Sequence, residues 1–176
     1  MKKFFYTIIA FAGILAASCS TDADNLVFDP SSSVAPTLGT LAGTTLSSDG
    51  AGLTFEFTQP KYNVDAGVLY ALYASDSQDF GKQEKLAATI GGTKVTVKQS
   101  ALNSVILNLG GEPGAEFTVY LRLDSWLANN KNMAVESSLA RSGVLSATFV
   151  PYSQLILDKD IYDHVWVMGD YSGWSH

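Results

Sequence analysis

The sequence has few of the residues on which most catalytic and metal sites depend. It contains one cysteine and two histidines among 176 residues. A single cysteine excludes a disulfide within the chain. The two histidines, His164 and His176, both lie near the end of the sequence, and no Ser/His/Asp or Cys/His set accompanies them. We therefore expect no catalytic residues, no metal site and no bound cofactor.

Positive charge and long apolar runs are also scarce. The chain has 11 Lys and Arg against 17 Asp and Glu, which gives a net charge of −6. An acidic protein repels phosphates, so we expect no nucleic-acid partner, and charge alone is not expected to hold the chain to anionic lipid. An uncharged run of 14 residues, 4–17, is shorter than the roughly 20 residues of a membrane-spanning helix. The chain is nevertheless 47% hydrophobic, which is enough to build a core.

The N-terminal segment has the pattern of a secretory signal peptide. Lys2 and Lys3 precede the short apolar run, which ends in small residues. Residues 15–19 (LAASC) resemble a lipobox, whose cysteine thiol takes a diacylglycerol. We expect residues 1–18 to be removed and Cys19 to carry covalent diacylglycerol and an acyl chain as a membrane anchor. The alternative is an ordinary secreted protein with an accidental cysteine.

Residues 19–36 are predicted to form a flexible linker. They are rich in Asp, Ser and Pro, a composition that favours extended and mobile chain. The acidic stretch 20–24 (STDAD) resembles the surface-export signal of Bacteroidetes lipoproteins. The alternative is a solvated linker with no export role.

Residues 37–152 are predicted to form one β-rich domain. Alternating or apolar runs predict strands at 53–57, 68–75, 86–90, 93–98, 117–124 and 144–152. Apolar residues at helical spacing predict one short helix over 100–109, capped by Ser100 and ended by Gly110. Strands at this spacing favour an all-β antiparallel sandwich.

Several short motifs occur in an order that is similar to one known family. They are Asp49-Gly50 before the first clear strand, 70–74 (YALYA) followed by Asp79-Phe80, 101–103 (ALN) with Leu109-Gly110, 119–123 (VYLRL), and 149–152 (FVPY). With the lipobox and the acidic linker, they resemble the N-terminal region of SusE-type outer-membrane lipoproteins of Bacteroidetes glycan-utilisation systems. The chain departs from that pattern at Arg141-Ser142, where the family has Ser-Asn, and at Phe55 or Phe57, where it has tryptophan.

The resemblance implies an immunoglobulin-like or fibronectin-III-like sandwich that acts mainly as a spacer. It also implies attachment to the outer membrane, with the protein facing the cell surface. In this family glycan binding resides in separate modules after the N-terminal domain. The implied partners are a polysaccharide such as α-glucan and a TonB-dependent importer complex.

Residues 153–176 are predicted to be a linker followed by the start of a glycan-binding module. The segment 164–174 (HVWVMGDYSGW) resembles the opening strand and turn of such modules. Because about 80 to 100 further residues would be needed to complete one, we expect a truncated gene product or a fragment of a longer reading frame. Trp166 and Trp174 are candidate sugar-stacking residues; the alternative, which we favour, is that they pack in the missing module.

A third candidate is Trp126, which we place just past a strand and beside the loop 127–133. Trp126 with Asn129 and Asn130 would then contact a carbohydrate ligand. The alternative, again favoured, is that the ring packs on the end of the sandwich.

Three hypotheses follow from the sequence. The first is a surface lipoprotein of a starch-like polysaccharide binding and uptake system, in which this chain supplies the anchor and the spacer domain. The second is a structural lipoprotein domain that contacts a partner protein and binds no glycan. The third is an extracellular enzyme whose catalytic part is missing.

Overall fold

The computed structural model of the protein describes residues 28–154. In this part of the chain there is one α-helix, α1 (Gln99–Leu109), and two short 3-10 turns, Pro30–Ser32 and Glu136–Ser138. The strands are β1 (Thr37–Leu38), β2 (Leu53–Thr58), β3 (Val68–Ser75), β4 (Gln83–Ile90), β5 (Lys94–Val97), β6 (Phe117–Leu127), β7 (Ala140–Arg141) and β8 (Leu145–Phe149).

The strands form two antiparallel sheets. One sheet has the order β1-β2-β5, and the other has the order β4-β3-β6, with β7 and β8 both paired to the remaining edge of β6. The predicted all-β antiparallel sandwich with one short helix is therefore confirmed. The predicted signal peptide and most of the predicted linker lie outside the described residues.

The core lies between the inner faces of the two sheets. Alternate residues of each strand point inward, as the period of two requires. The largest buried side chains come from β2, β3, β6, β8 and α1, and they are Phe55, Tyr70, Leu72, Leu102, Ile106, Val119, Leu121, Leu123 and Phe149. Each large side chain buried in this way stabilises the fold by roughly 1.5–3 kcal/mol.

The helix differs from its sequence-based prediction at one end. It begins at Gln99 after Lys98, which makes no side-chain cap, so the assignment of Ser100 as the cap is wrong. The Gln99 side chain instead accepts a hydrogen bond from the Ser47 N–H (2.9 Å) and donates one to the Ala51 carbonyl (2.9 Å). The predicted end at Gly110 is confirmed, since its φ of 107° lies in the left-handed region that glycine tolerates.

Two strands extend three residues beyond their predicted bounds, and β2 extends one residue, to Thr58. β4 begins at Gln83 rather than at residue 86, and β6 continues to Leu127 rather than ending at 124. In both, pairing with β3 continues the ladder through residues whose own sequence pattern is mixed. The placement of Trp126 just past a strand was therefore wrong, because it pairs with Leu69 inside the sheet.

Serine hydroxyls complete the outer edge of β6 where β7 and β8 do not pair with it. The Leu123 N–H donates to Ser142 Oγ (2.9 Å), and the Leu127 N–H donates to Ser138 Oγ (2.8 Å). Both serines are buried. A buried backbone donor without a partner is costly, so these hydroxyls allow the edge strand to be interrupted without that penalty.

The chain that precedes β2 covers the free edge of β8. Thr45 forms a parallel bridge with Val150, and a Cβ at Gly43 would lie 1.8 Å from the Thr148 carbonyl oxygen. Only glycine permits so close an approach of two backbones. The contact protects an edge that could otherwise pair with another chain.

The two ends of the sandwich hold different parts of the chain. We call the end where β3 begins and where β4 and β6 end the N-terminal pole. There the Ala128 N–H donates to the Gly67 carbonyl (2.7 Å), and the Gly91 N–H donates to the Val68 carbonyl (2.8 Å). At the opposite C-terminal pole lie α1, the β3–β4 connection and the segment that follows β8.

The described chain enters at the N-terminal pole. The rings of Phe28 and Tyr62 are 5.9 Å apart in an edge-on arrangement, and the Asp29 N–H donates to Asn63 Oδ1 (2.9 Å). We expected residues 28–36 to belong to the linker, but they contact the sandwich through these bonds.

The described chain leaves at the C-terminal pole. There Asn103, which is fully buried in α1, accepts from the Tyr152 N–H (2.8 Å) and donates to the Tyr152 carbonyl (3.1 Å). The Gly114 N–H also donates to the Pro151 carbonyl (2.8 Å). These bonds fix the direction in which the chain leaves the domain.

Asn103→Ala should lower the free energy of unfolding by about 2 kcal/mol, because it removes the partner of two part-buried backbone groups of Tyr152. The measurement is urea unfolding followed by circular dichroism. Asn108→Ala is the matched control, since Asn108 lies exposed on the same helix and should change stability by less than about 0.7 kcal/mol. Equal effects of the two substitutions would contradict the assigned role of Asn103.

Candidate functional site

A groove of about 400 Å³ runs along the outer face of the five-stranded sheet. We call it the outer groove. Strands β3, β4 and β6 and the segment after β6 line it, with residues Leu69, Ala71, Tyr73, Lys85, Ala88, Thr89, Ile90, Trp126, Ala134 and Glu136. Its size falls within the range of sites that bind small molecules.

Strand alternation explains why this face is apolar. Tyr70, Leu72 and Ala74 fill the core, so the residues between them point to the other face of the sheet. Ala71 of β3 lies opposite Ala88 of β4 in the register. These small residues form the floor, and the larger side chains around them form the walls.

Trp126 forms one wall of the groove. It lies directly opposite Leu69 in the β3–β6 register and is half-buried. Its Nε1 is buried and has no hydrogen-bond partner among the described residues. This N–H group is shielded from water without a compensating hydrogen bond, which costs free energy.

Asn129 and Asn130 are not among the residues that line the outer groove with Trp126. Asn129 Oδ1 accepts from the N–H groups of Lys131 (2.9 Å) and Met133 (3.0 Å), so it stabilises its own loop. Ala134, which directly follows that loop, lines the groove together with Trp126. The ring therefore borders an apolar surface, with one cation, Lys85, and one anion, Glu136, among the other lining residues.

A partly buried ion cluster occupies the same sheet face beyond the groove. Arg122 donates through Nε to Asp124 Oδ1 (2.7 Å) and through its guanidinium to Gln83 Oε1 (3.1 Å). Asp124 is 4% exposed, and Arg141 Nε approaches its second oxygen at 3.5 Å. Two cations thus compensate one buried carboxylate, as burial of a charge requires.

Phe80 completes this cluster in a backbone conformation that is rare for an aromatic residue. Its φ is 55°, and the Arg122 guanidinium lies 4.2 Å above the centre of its ring. A cation over an aromatic face is stabilising. Two of the short family-like motifs, Asp79-Phe80 and the arginine-bearing strand, therefore meet in space to hold the β3–β4 connection.

Hydrogen bonds within that connection shift one ionisation. The Ser77 hydroxyl and the Gly81 N–H both donate to the Asp79 carboxylate, which holds the pKa of Asp79 below its usual value. Since Asp79 is exposed, this stabilises the local turn without creating a buried charge. In the core, burial raises the pKa of Tyr70.

The groove and the cluster offer packing surfaces and ion pairs. Among residues 28–154 no group of three His, Cys, Asp or Glu side chains is arranged to hold a metal ion. In the same range no helix has the length and apolar character to cross a bilayer. The predicted site residues Cys19, Trp166 and Trp174 lie outside the described residues.

Comparison with known proteins identifies one family. The profile of the family described as SusE outer membrane protein matches residues 19–124. No curated protein matches the chain.

A solved structure of pectate lyase Pel3 from Pectobacterium carotovorum aligns with 14% identity and a TM-score of 0.35. The alignment covers 64% of this chain and 26% of the lyase, so the chain spans about a quarter of that protein.

Asp124→Ala should lower the free energy of unfolding by about 2–3 kcal/mol, because the mostly buried Arg122 would lose its counter-ion. This is less than for a fully buried pair, since the Arg122 side chain is 13% exposed. Arg141→Ala is the control, because that side chain is 56% exposed and its loss should cost no more than about 1 kcal/mol. Thermal unfolding of both variants checks the order, and a larger loss for Arg141→Ala would refute it.

Proposed function

Because the chain belongs to the SusE family of outer membrane proteins, we propose that it is a surface lipoprotein of a polysaccharide binding and uptake system. In this role the chain supplies a lipid anchor at Cys19 and a spacer domain. The observation that carries the proposal is the family match, which covers more than half of the chain and begins at Cys19 itself.

The anchor follows from the segment before the sandwich. Cys19 ends the lipobox-like sequence LAASC and is the one cysteine of the chain. A thioether-linked diacylglycerol with an added acyl chain holds a protein to a bilayer durably, whereas one chain alone does so only marginally. In this proposal the covalent lipid binds the protein to the membrane, because an acidic protein is not attracted to anionic lipid by charge.

The spacer role is supported by the positions where the described chain enters and leaves. Phe28 lies at one pole, and Tyr152 is fixed at the other through Asn103. The longest strand, β6, has 11 residues and spans roughly 36 Å between these poles. A domain with this connectivity holds whatever follows it away from the membrane.

The remaining partners belong to the same proposal. Residues 153–176, with Trp166 and Trp174, would begin a glycan-binding module for a starch-like α-glucan. A TonB-dependent importer would receive the bound polysaccharide. The sandwich itself is not assigned a catalytic role.

Cys19→Ser should abolish incorporation of radiolabelled palmitate into the protein. The reason is that a serine hydroxyl does not supply the thiol that takes the diacylglycerol. Ser18→Ala is the control, since a small residue before the cysteine preserves the lipobox pattern. A Cys19→Ser protein that still incorporates palmitate would refute the anchor.

Affinity electrophoresis in gels with and without starch tests the spacer assignment. The chain without residues 1–19 and a version that also lacks residues 155–176 should both migrate at their glycan-free mobility, because the sandwich is not proposed to hold sugar. Retardation that persists without residues 155–176, and that Trp126→Ala removes, would show a glycan site in the outer groove and overturn the assignment.

A further inference from the structure

Exposed apolar side chains are concentrated at the N-terminal pole. Among residues 28–154, four large apolar side chains are exposed, namely Val34 (55%), Ile90 (60%), Met133 (59%) and Val144 (45%). The first three lie at the N-terminal pole, and Val144 lies in the connection between β7 and β8. Three of the four exposed apolar side chains therefore lie at one pole, where a bilayer could contact them.

Backbone pairing places each of the three side chains at this pole. Val34 and Lys61 form an antiparallel bridge, and Ile90 pairs with Leu69 near the start of β3. Met133 lies in the loop that Ala128 ties to that start of β3.

Ile90 also continues the apolar wall of the outer groove. It and Trp126 lie on either side of Leu69 in the sheet register. The apolar surface therefore extends from the middle of the sheet to the edge of the N-terminal pole.

The position of the anchor brings this pole close to lipid. Nine peptide steps separate Cys19 from Phe28, and a chain of that length reaches at most about 30 Å. Phe28 is held at the N-terminal pole by Tyr62. A lipid-modified Cys19 therefore confines this pole, rather than the other, to the neighbourhood of the bilayer.

Charge favours the same orientation. The connections at the C-terminal pole carry five acids against two lysines: Asp49, Asp76, Asp79, Glu112, Glu116, Lys82 and Lys98. Those at the N-terminal pole carry three acids against two lysines: Asp29, Asp65, Glu136, Lys61 and Lys131. An anionic lipid surface repels the more acidic end more strongly, so the C-terminal pole turns outward.

We propose that the N-terminal pole docks on the lipid surface, with Ile90, Met133 and Val34 in the headgroup region. The inference rests on the proposed anchor at Cys19. Three apolar side chains are too few to bind a membrane unaided, but the anchor makes their contact an intramolecular event at high effective concentration. Docking then fixes the orientation of the sandwich, with its strands pointing away from the membrane, whereas the linker alone would let it reorient.

The experiment uses the full lipidated protein in vesicles of phosphatidylethanolamine and phosphatidylglycerol that contain a spin-labelled quencher lipid. Met133→Cys provides a single reactive thiol for an environment-sensitive fluorophore, because the sulfur of Cys19 is a thioether. The matched probe is Gln78→Cys, an exposed residue at the C-terminal pole. We expect blue-shifted emission and quenching at position 133, several-fold stronger than at position 78.

Two substitutions test whether the apolar side chains cause the contact. Ile90→Ser should reduce quenching at position 133 several-fold, whereas Val144→Ser, which alters an exposed valine elsewhere, should leave it unchanged. Circular dichroism and thermal unfolding confirm that both variants fold.

The outcomes separate the docking from the anchor. Protein that stays on the vesicles with equal, weak quenching at both positions overturns docking and leaves the anchor intact; a protein partner would then be the covering surface. Equal, strong quenching at both positions overturns the upright orientation. Protein that leaves the vesicles altogether overturns the anchor, and docking with it.

Discussion

The pairing of β3 with β6 is the interaction on which the rest of the structure depends. Eight residue pairs join the two strands from Val68↔Leu127 to Ser75↔Tyr120. On one side of this ladder the alternate residues build the core, and on the other they build the outer groove and the Arg122–Asp124 cluster. A shift of one residue would exchange the two faces of the sheet. This register therefore determines both the core and the outer groove.

The family-like motifs have structural roles in the described part of the chain. Asn103 fixes the exit at Tyr152, and Phe80 packs under Arg122. Each motif pair is distant in sequence and adjacent in space. These two motifs therefore contribute contacts that hold the ends of the sandwich in place. This explains how short, individually weak motifs can indicate a fold correctly.

The sequence predicts those parts of the fold in which each strand has one inner and one outer face. The bounds of β3 are predicted without error, because aromatic and branched residues fill it and turn residues flank it. The two-residue strands Thr37–Leu38 and Ala140–Arg141 have no period to detect and exist only through their partners. The outer groove depends on the pairing of Ala71 with Ala88 and of Leu69 with Trp126. These pairings join different strands, so the sequence pattern of a single strand does not predict them.

The opposite positions of entry and exit have a mechanical consequence. A pull between the two poles acts along the strands, so paired strands are sheared and their hydrogen bonds share the load. The two ends differ in strength, since β1 pairs with β2 at two positions whereas β8 pairs with β6 at five. Under such a pull we expect β1 to detach before β8, while the eight pairs between β3 and β6 keep the core closed.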